Sequence, residues 1–141
     1  MQYKRFNNMI FVRLDPEEEI LEQLNDIAKK ERIALANVNG IGAVKEFTTG
    51  AFDTVKKEYH SITTKGSYEI VSLTGTITAM MNEPYLHIHM SAGNENGEVV
   101  GGHLNCAIVS ATAELVIYVS EGRIGRKFNE EIGLNLFDFF K

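Results

Sequence analysis

Three of the four histidines in this chain fall within seventeen residues, in the stretch "HIHMSAGNENGEVVGGH" from His87 to His103. On a strand, His87 and His89 project from the same face, because side chains alternate with a period of two. Their Cα atoms then lie roughly 6.6 Å apart. Imidazoles reaching from that spacing can meet on one metal ion at about 2.0–2.1 Å per bond.

The third histidine is placed by counting register. If "ENG" (Glu95, Asn96, Gly97) is a three-residue hairpin loop with Gly97 in the left-handed conformation, Asn94 pairs with Glu98. Counting outward along both strands sets His89 opposite His103, and opposed side chains stand about 4.5–5.5 Å apart at Cβ. A bulge at Gly101 or Gly102 would shift this register by one. Three neutral imidazoles without cysteine suit Zn²⁺, with Co, Ni, Fe or Cu as less suited ions. Three protein ligands leave a fourth position for water or another ligand, the pattern shared by catalytic zinc sites. Glu58, Glu69, Asn105 or another chain could supply a fourth ligand, and the sequence leaves that choice open.

The other chemistry-bearing residues have plainer readings. His60, in "EYHSITT", has no partner in sequence and reads as a surface strand histidine. Cys106 lies three residues past His103, an odd offset that puts it on the opposite strand face as a small core residue. Glu69 and Glu114 are carboxylates inside apolar strand patterns. Such a group could orient a ligand histidine, act as a general base, or pair with Arg or Lys across a subunit contact. Asn39 and Gly40 read as turn chemistry at a strand end.

The elements that must position these residues are mostly strands. "MIFVRL", "ALANVNGIGAV", "EFTTGAFD", "EYHSITT", "YEIVSLTGTITAM", "YLHIHMS", "EVVGGHL" and "AELVIYVS" are rich in Val, Ile, Thr and Tyr and are separated by Gly, Asn, Asp or Pro. One helix is predicted over about residues 16–32, with Asp15 as N-cap, Pro16 in the first turn and Glu18 closing a capping box. Ile20, Leu21, Leu24, Ile27 and Ala28 give it one apolar stripe. The pattern predicts an α+β domain, a mainly antiparallel sheet with this one main helix packed on it, over residues 1–141. The tail "IGLNLFDFF" is apolar enough to require packing against the domain or another subunit.

Charge and cysteine usage bound the partners. With 14 basic and 19 acidic residues the net charge is −5, and the basic residues are scattered rather than gathered in a stripe. That composition lends no support to a phosphate-binding face. The start "MQYKRFNNMIFVRLD" does not resemble a signal peptide, no apolar run approaches a membrane span, and one cysteine suits a reducing compartment. A cytoplasmic protein is expected.

"GSYEIVSLTGTI", "HIHMSAGNENGEVVGGHL" and "AIVSATAELVI" closely resemble the plants-and-prokaryotes-conserved (PPC) domain. "RLDPEEEILEQLNDIAKKERIALANVNGIGAV" extends the resemblance over nearly the whole chain. The resemblance implies an α+β fold, association as trimers, and zinc at His87, His89 and His103. Plant members join this domain to AT-hooks and regulate DNA in the nucleus, and prokaryotic relatives are often labelled DNA-binding on that account. An AT-hook enters the minor groove through an R-G-R-P core. The nearest stretch here, "GRIGRKF" from Gly122 to Phe128, lacks that core, so DNA binding rests on domain resemblance alone.

The expectation is therefore a zinc-binding, homotrimeric PPC-domain protein of regulatory, DNA-binding type. The competing reading is a zinc-dependent enzyme acting on a small molecule at an open three-histidine site. A blander third has zinc only stabilising the subunit.

Overall fold

The computed structural model describes residues 1–140. In chain order the elements are β1 (Gln2–Phe6), β2 (Met9–Leu14), α1 (Ile20–Lys30), β3 (Ala36–Asp53), β4 (Glu58–Met80), β5 (Glu83–Gly93), β6 (Val99–Val119), β7 (Gly125–Asn129) and β8 (Leu134–Asp138). All ladders are antiparallel, which bears out the α+β expectation. No helix is long and apolar enough to cross a membrane.

Six strands run in the order β1-β2-β6-β3-β4-β5, and a further β5–β6 pairing joins the end of that sheet back to its middle. The β3–β4, β4–β5, β5–β6 and β6–β3 ladders thereby form a closed ring, which leaves none of those four strands as a free edge along its paired length.

Three of these strands are longer than the sequence signals suggest. "ALANVNGIGAV" and "EFTTGAFD" are one strand, β3; "EYHSITT" and "YEIVSLTGTITAM" are one strand, β4; "EVVGGHL" and "AELVIYVS" are one strand, β6. The interruptions read as turns are bulges instead, between Gly40 and Gly42 and between Val44 and Glu46. Asn39 and Gly40 therefore sit inside β3, not at a turn. A Cβ at Gly40 would fall 2.1 Å from Leu115 Cδ2, so glycine is needed there for close packing. At Gly42 φ is +150°, the backbone twist that a bulge requires.

The helix begins at Ile20, four residues after Pro16, and Glu19 rather than Asp15 is its N-cap. The reason lies in β6. Glu17 N–H donates to the Val109 carbonyl and Val109 N–H to the Glu18 carbonyl, both at 3.0 Å, so the backbone that would start the helix is already paired to the sheet. Glu18 still accepts from Asp15 N–H at 2.8 Å, as a capping box would, but closes a turn with it. Glu19 caps the helix by accepting from Glu22 N–H at 2.7 Å, and its other oxygen accepts from Ala107 N–H at 2.8 Å. At the far end Arg32 takes a positive φ of 54° and stops the helix.

Ile20, Leu24, Ile27 and Ala28 are fully buried, as the stripe predicts, and join one core cluster with Ile10, Val38, Phe47, Leu73, Ile88 and Leu115. The apolar tail forms β8, which pairs with β7. The resulting hairpin packs on β4, where Ala79 N–H donates to the Ile124 carbonyl at 3.1 Å. Phe139 and Phe140 remain exposed beyond it.

Candidate metal centre

The hairpin joining β5 to β6 has the geometry that the sequence predicts. Asn94 N–H donates to the Glu98 carbonyl, Gly97 N–H donates to the Asn94 carbonyl, both at 3.0 Å, and Gly97 has φ +76°. The Asn94 side chain fixes the loop by accepting from Asn96 N–H and Glu98 N–H at 3.0 Å. Pairing runs without interruption from Gly93–Val99 to His89–His103, so Gly101 and Gly102 introduce no bulge. They are close-approach positions. A Cβ at Gly101 would lie 2.3 Å from the Met90 carbonyl oxygen, and one at Gly102 2.6 Å from that of Gly50.

Along β5, Ile88, Met90 and Ala92 point into the core, which turns His87 and His89 to the outside of the ring. His103 joins them from β6. One ligand atom from each ring lies within 4.8 Å of the other two, and the ring centroids are 5.2, 5.2 and 5.4 Å apart. A tetrahedral ion with bonds of 2.0–2.1 Å holds its ligand atoms about 3.4 Å apart, so small ring rotations bring the three onto one ion. Among the described residues this is the one group of three or more such side chains with converging ligand atoms.

The electrostatics favour neutral imidazoles, the form that binds metal. Burial, the neighbouring His103, the Arg126 charge and His89 together push the His87 pKa down from 6.5 to about 4. Burial and His89 lower that of His103 as well.

The sign of the resulting pH dependence follows directly. Above pH 6.5 neither the folded nor the unfolded chain protonates His87, and the ring is without effect on stability. As pH falls below 6.5 the unfolded chain takes up a proton that the folded chain refuses until about 4, so stability is lost across that window. Because the ring is only partly buried, solvent screening reduces the effect to roughly 1 kcal/mol. Metal-free protein should therefore lose a few degrees of melting temperature more than metal-free His87→Gln between pH 7 and pH 4.5, measured by thermal denaturation.

The other residues singled out in the sequence do not join the triad. His60 is exposed and lies 3.5 Å from Glu58. Glu69 and Glu114 are exposed, and among the described residues no carboxylate hydrogen bonds to any of the three histidines. Asn105 is engaged by Tyr59, whose hydroxyl lies 2.5 Å from its Oδ1 and whose ring stands edge-on 6.2 Å from that of His103.

Cys106 departs from the expected core position. The β3–β6 register shifts between Thr48–Cys106 and Thr49–Leu104, so an extra residue breaks the alternation. Leu104 and Ala107 are both buried, while Cys106 is half-buried in a cleft with Glu19, Leu21, Glu22 and Asn25. Burial and the nearby Glu19 raise its pKa and keep it a thiol.

Sequence reasoning missed Arg126. It arrives from β7, two strands removed in the chain, and its only mark in the sequence is its place in "GRIGRKF". Its guanidinium donates to Thr78 Oγ1 at 3.0 Å, to the Asn135 carbonyl at 3.2 Å and to Thr76 Oγ1 at 3.4 Å. Thr76 pairs directly with His87.

The family model of the Plants and Prokaryotes Conserved (PCC) domain matches residues 1–121. A crystal structure of a candidate DNA-binding protein from Bacteroides thetaiotaomicron is similar, with 35% identity, TM-score 0.96, and 99% of this chain and 98% of that one covered. A plant- and prokaryote-conserved (PPC) protein of Pyrococcus horikoshii has 37% identity, TM-score 0.85 and coverage of 99% and 95%. A metal-containing protein of Archaeoglobus fulgidus has 32% identity, TM-score 0.86 and coverage of 97% and 98%. No protein of curated function matches the chain.

Proposed function

This chain belongs to the Plants and Prokaryotes Conserved domain family, and we propose that it is a zinc-binding member in which His87, His89 and His103 hold the ion. The observation that carries this is the convergence of three imidazole ligand atoms within 4.8 Å, with no carboxylate or thiolate among them. That donor set suits zinc ahead of Co, Ni, Fe or Cu in a cell, and rules against hard, oxygen-seeking ions such as Mg²⁺ and Ca²⁺. The Archaeoglobus fulgidus relative, described as metal-containing, agrees with it. Three protein ligands leave the fourth position open, where zinc supplies Lewis-acid chemistry or a binding point for a ligand.

The protein works as a homotrimer in this reading, as the family resemblance implies. In its support, the outward face of the six-stranded sheet exposes Phe11, Ile41, Val71 and Tyr118, an apolar surface that a second copy would cover. The single cysteine suits a cytoplasmic setting.

The description of the Bacteroides relative favours a second reading, regulation through DNA. Here the net charge of −5 weighs against it. Binding to an A·T-rich duplex at low salt that weakens steeply as salt rises would support it, and no binding would end it. A hydrolytic zinc enzyme would need a general base beside the bound water. Among the described residues no carboxylate belongs to the converging group, which favours ligand binding over hydrolysis.

Elemental analysis of untagged protein, purified without added metal or chelator, tests the proposal. About one zinc per chain is expected, with light scattering giving the mass of a trimer. Protein without metal that takes up none on addition of zinc would overturn the metal reading. A monomeric mass would overturn the trimer alone.

A further inference from the structure

Arg126 occupies a socket that the reading above leaves unused. Its guanidinium lies over the Tyr85 ring, 4.8 Å from the centroid, and over the Phe137 ring, at 4.3 Å. Such cation–aromatic contacts hold the group in place and are a strength of arginine over lysine. Three of its five N–H groups are spent on Thr78 Oγ1, Thr76 Oγ1 and the Asn135 carbonyl. All three acceptors are neutral. Two N–H groups remain, one on each terminal nitrogen, and among the described residues no carboxylate forms a salt bridge with the charge.

A partly buried cation held rigidly without a counter-ion is costly unless something negative completes it. The register shows where that something would sit. Thr76 and Thr78 on β4 pair with His87 and Tyr85 on β5, so the socket and the first metal ligand are adjacent on one face of the sheet. The Arg126 guanidinium reaches Thr76, the direct cross-strand partner of His87. A divalent ion on three neutral histidines adds two positive charges beside a third, with no acidic side chain among the ligands.

We propose that Arg126 is the anion-binding group of this centre, and that the ligand of the open metal position is a small oxyanion, a carboxylate or a phosphate, bridging the ion and the guanidinium. The proposal rests on the metal reading given above. Planar, bidentate recognition of such groups is what the guanidinium fork does best. Arg126 lies in the β7–β8 hairpin, beyond the residues 1–121 that the family model matches.

The test uses full-length protein loaded with cobalt(II), whose visible absorption reports changes at the ion. Native protein, Arg126→Ala and Arg126→Lys are titrated with acetate, with inorganic phosphate and with imidazole, a neutral ligand. Native protein should bind an oxyanion, and the stronger of acetate and phosphate identifies its class. Arg126→Ala should weaken that binding by about tenfold or more, the worth of a charge-assisted hydrogen bond, and leave imidazole unchanged. Arg126→Lys should lose several-fold, and it carries the comparison should Arg126→Ala fail to fold. Cobalt uptake with equal oxyanion affinity in native and variant protein overturns the role of Arg126 and spares the metal site. Equal weakening for imidazole overturns it too, by showing that the residue only positions the sheet. Native protein that takes up no cobalt overturns the metal reading and this proposal together.

Discussion

His89→Ala protein should come off the column essentially free of zinc, with affinity for the ion reduced by more than about a hundredfold. Even the outer partners that merely orient a ligand cost about 10–100-fold when removed, and His89 would be a ligand itself. It stands at the centre of the triad, paired across the β5–β6 seam with His103 and one step along β5 from His87. Removing it leaves two imidazoles and no carboxylate nearby to replace it. His103→Ala should behave alike, and His60→Ala should keep native metal content, since His60 is exposed and outside the group. Competition with a chromophoric chelator measures the affinities. In native protein zinc should also raise the melting temperature by mass action, because the unfolded chain does not hold three imidazoles together. That zinc-dependent rise should vanish in His89→Ala.

Gly75→Ala is expected to cost roughly 3 kcal/mol of stability, at the upper end of overpacking penalties. Gly75 pairs with Ile88, the residue between His87 and His89. A Cβ there would lie 2.1 Å from the His87 carbonyl oxygen and 2.7 Å from Ile88 Cα. Both are backbone-borne atoms, so no rotamer change relieves the clash, and β4 and β5 must separate. The same displacement moves two of the three histidines. Metal affinity should therefore fall along with stability although no ligand is altered. Urea denaturation of the metal-free protein gives the first quantity and zinc competition the second. A loss below about 1 kcal/mol would contradict the tight β4–β5 spacing.

What the sequence makes legible is what local geometry decides. Gly97 in a three-residue loop fixes the hairpin register, and the register delivers His89 opposite His103. The helical stripe Ile20, Leu24, Ile27 and Ala28 is likewise read from spacing and found buried. The misreadings come from partners distant in the chain. Val109 pairs with Glu17 and Glu18 and so delays the helix; Leu73 and Leu115 pair with Gly40 from either side and keep it in a strand. The bulge opposite Thr48 and Thr49 shifts Cys106 out of the alternation. Arg126 is invisible from sequence for the same reason. Its threonine acceptors lie 48 and 50 residues away, and no spacing rule connects them.

The ring of four strands also orders events in time. Three of its ladders join neighbours in the chain, but the β3–β6 ladder brings residues as distant as Ala36 and Val119 together. Long loops close slowly, so this ladder is the kinetic bottleneck of assembly. All three histidines lie in the β5–β6 hairpin, on the local side of that bottleneck. The hairpin that carries the three histidines needs only a three-residue loop to close, so it can form before the β3–β6 ladder does. An ion captured then would clasp β5 to β6 and hand the slow step a prefabricated half of the barrel.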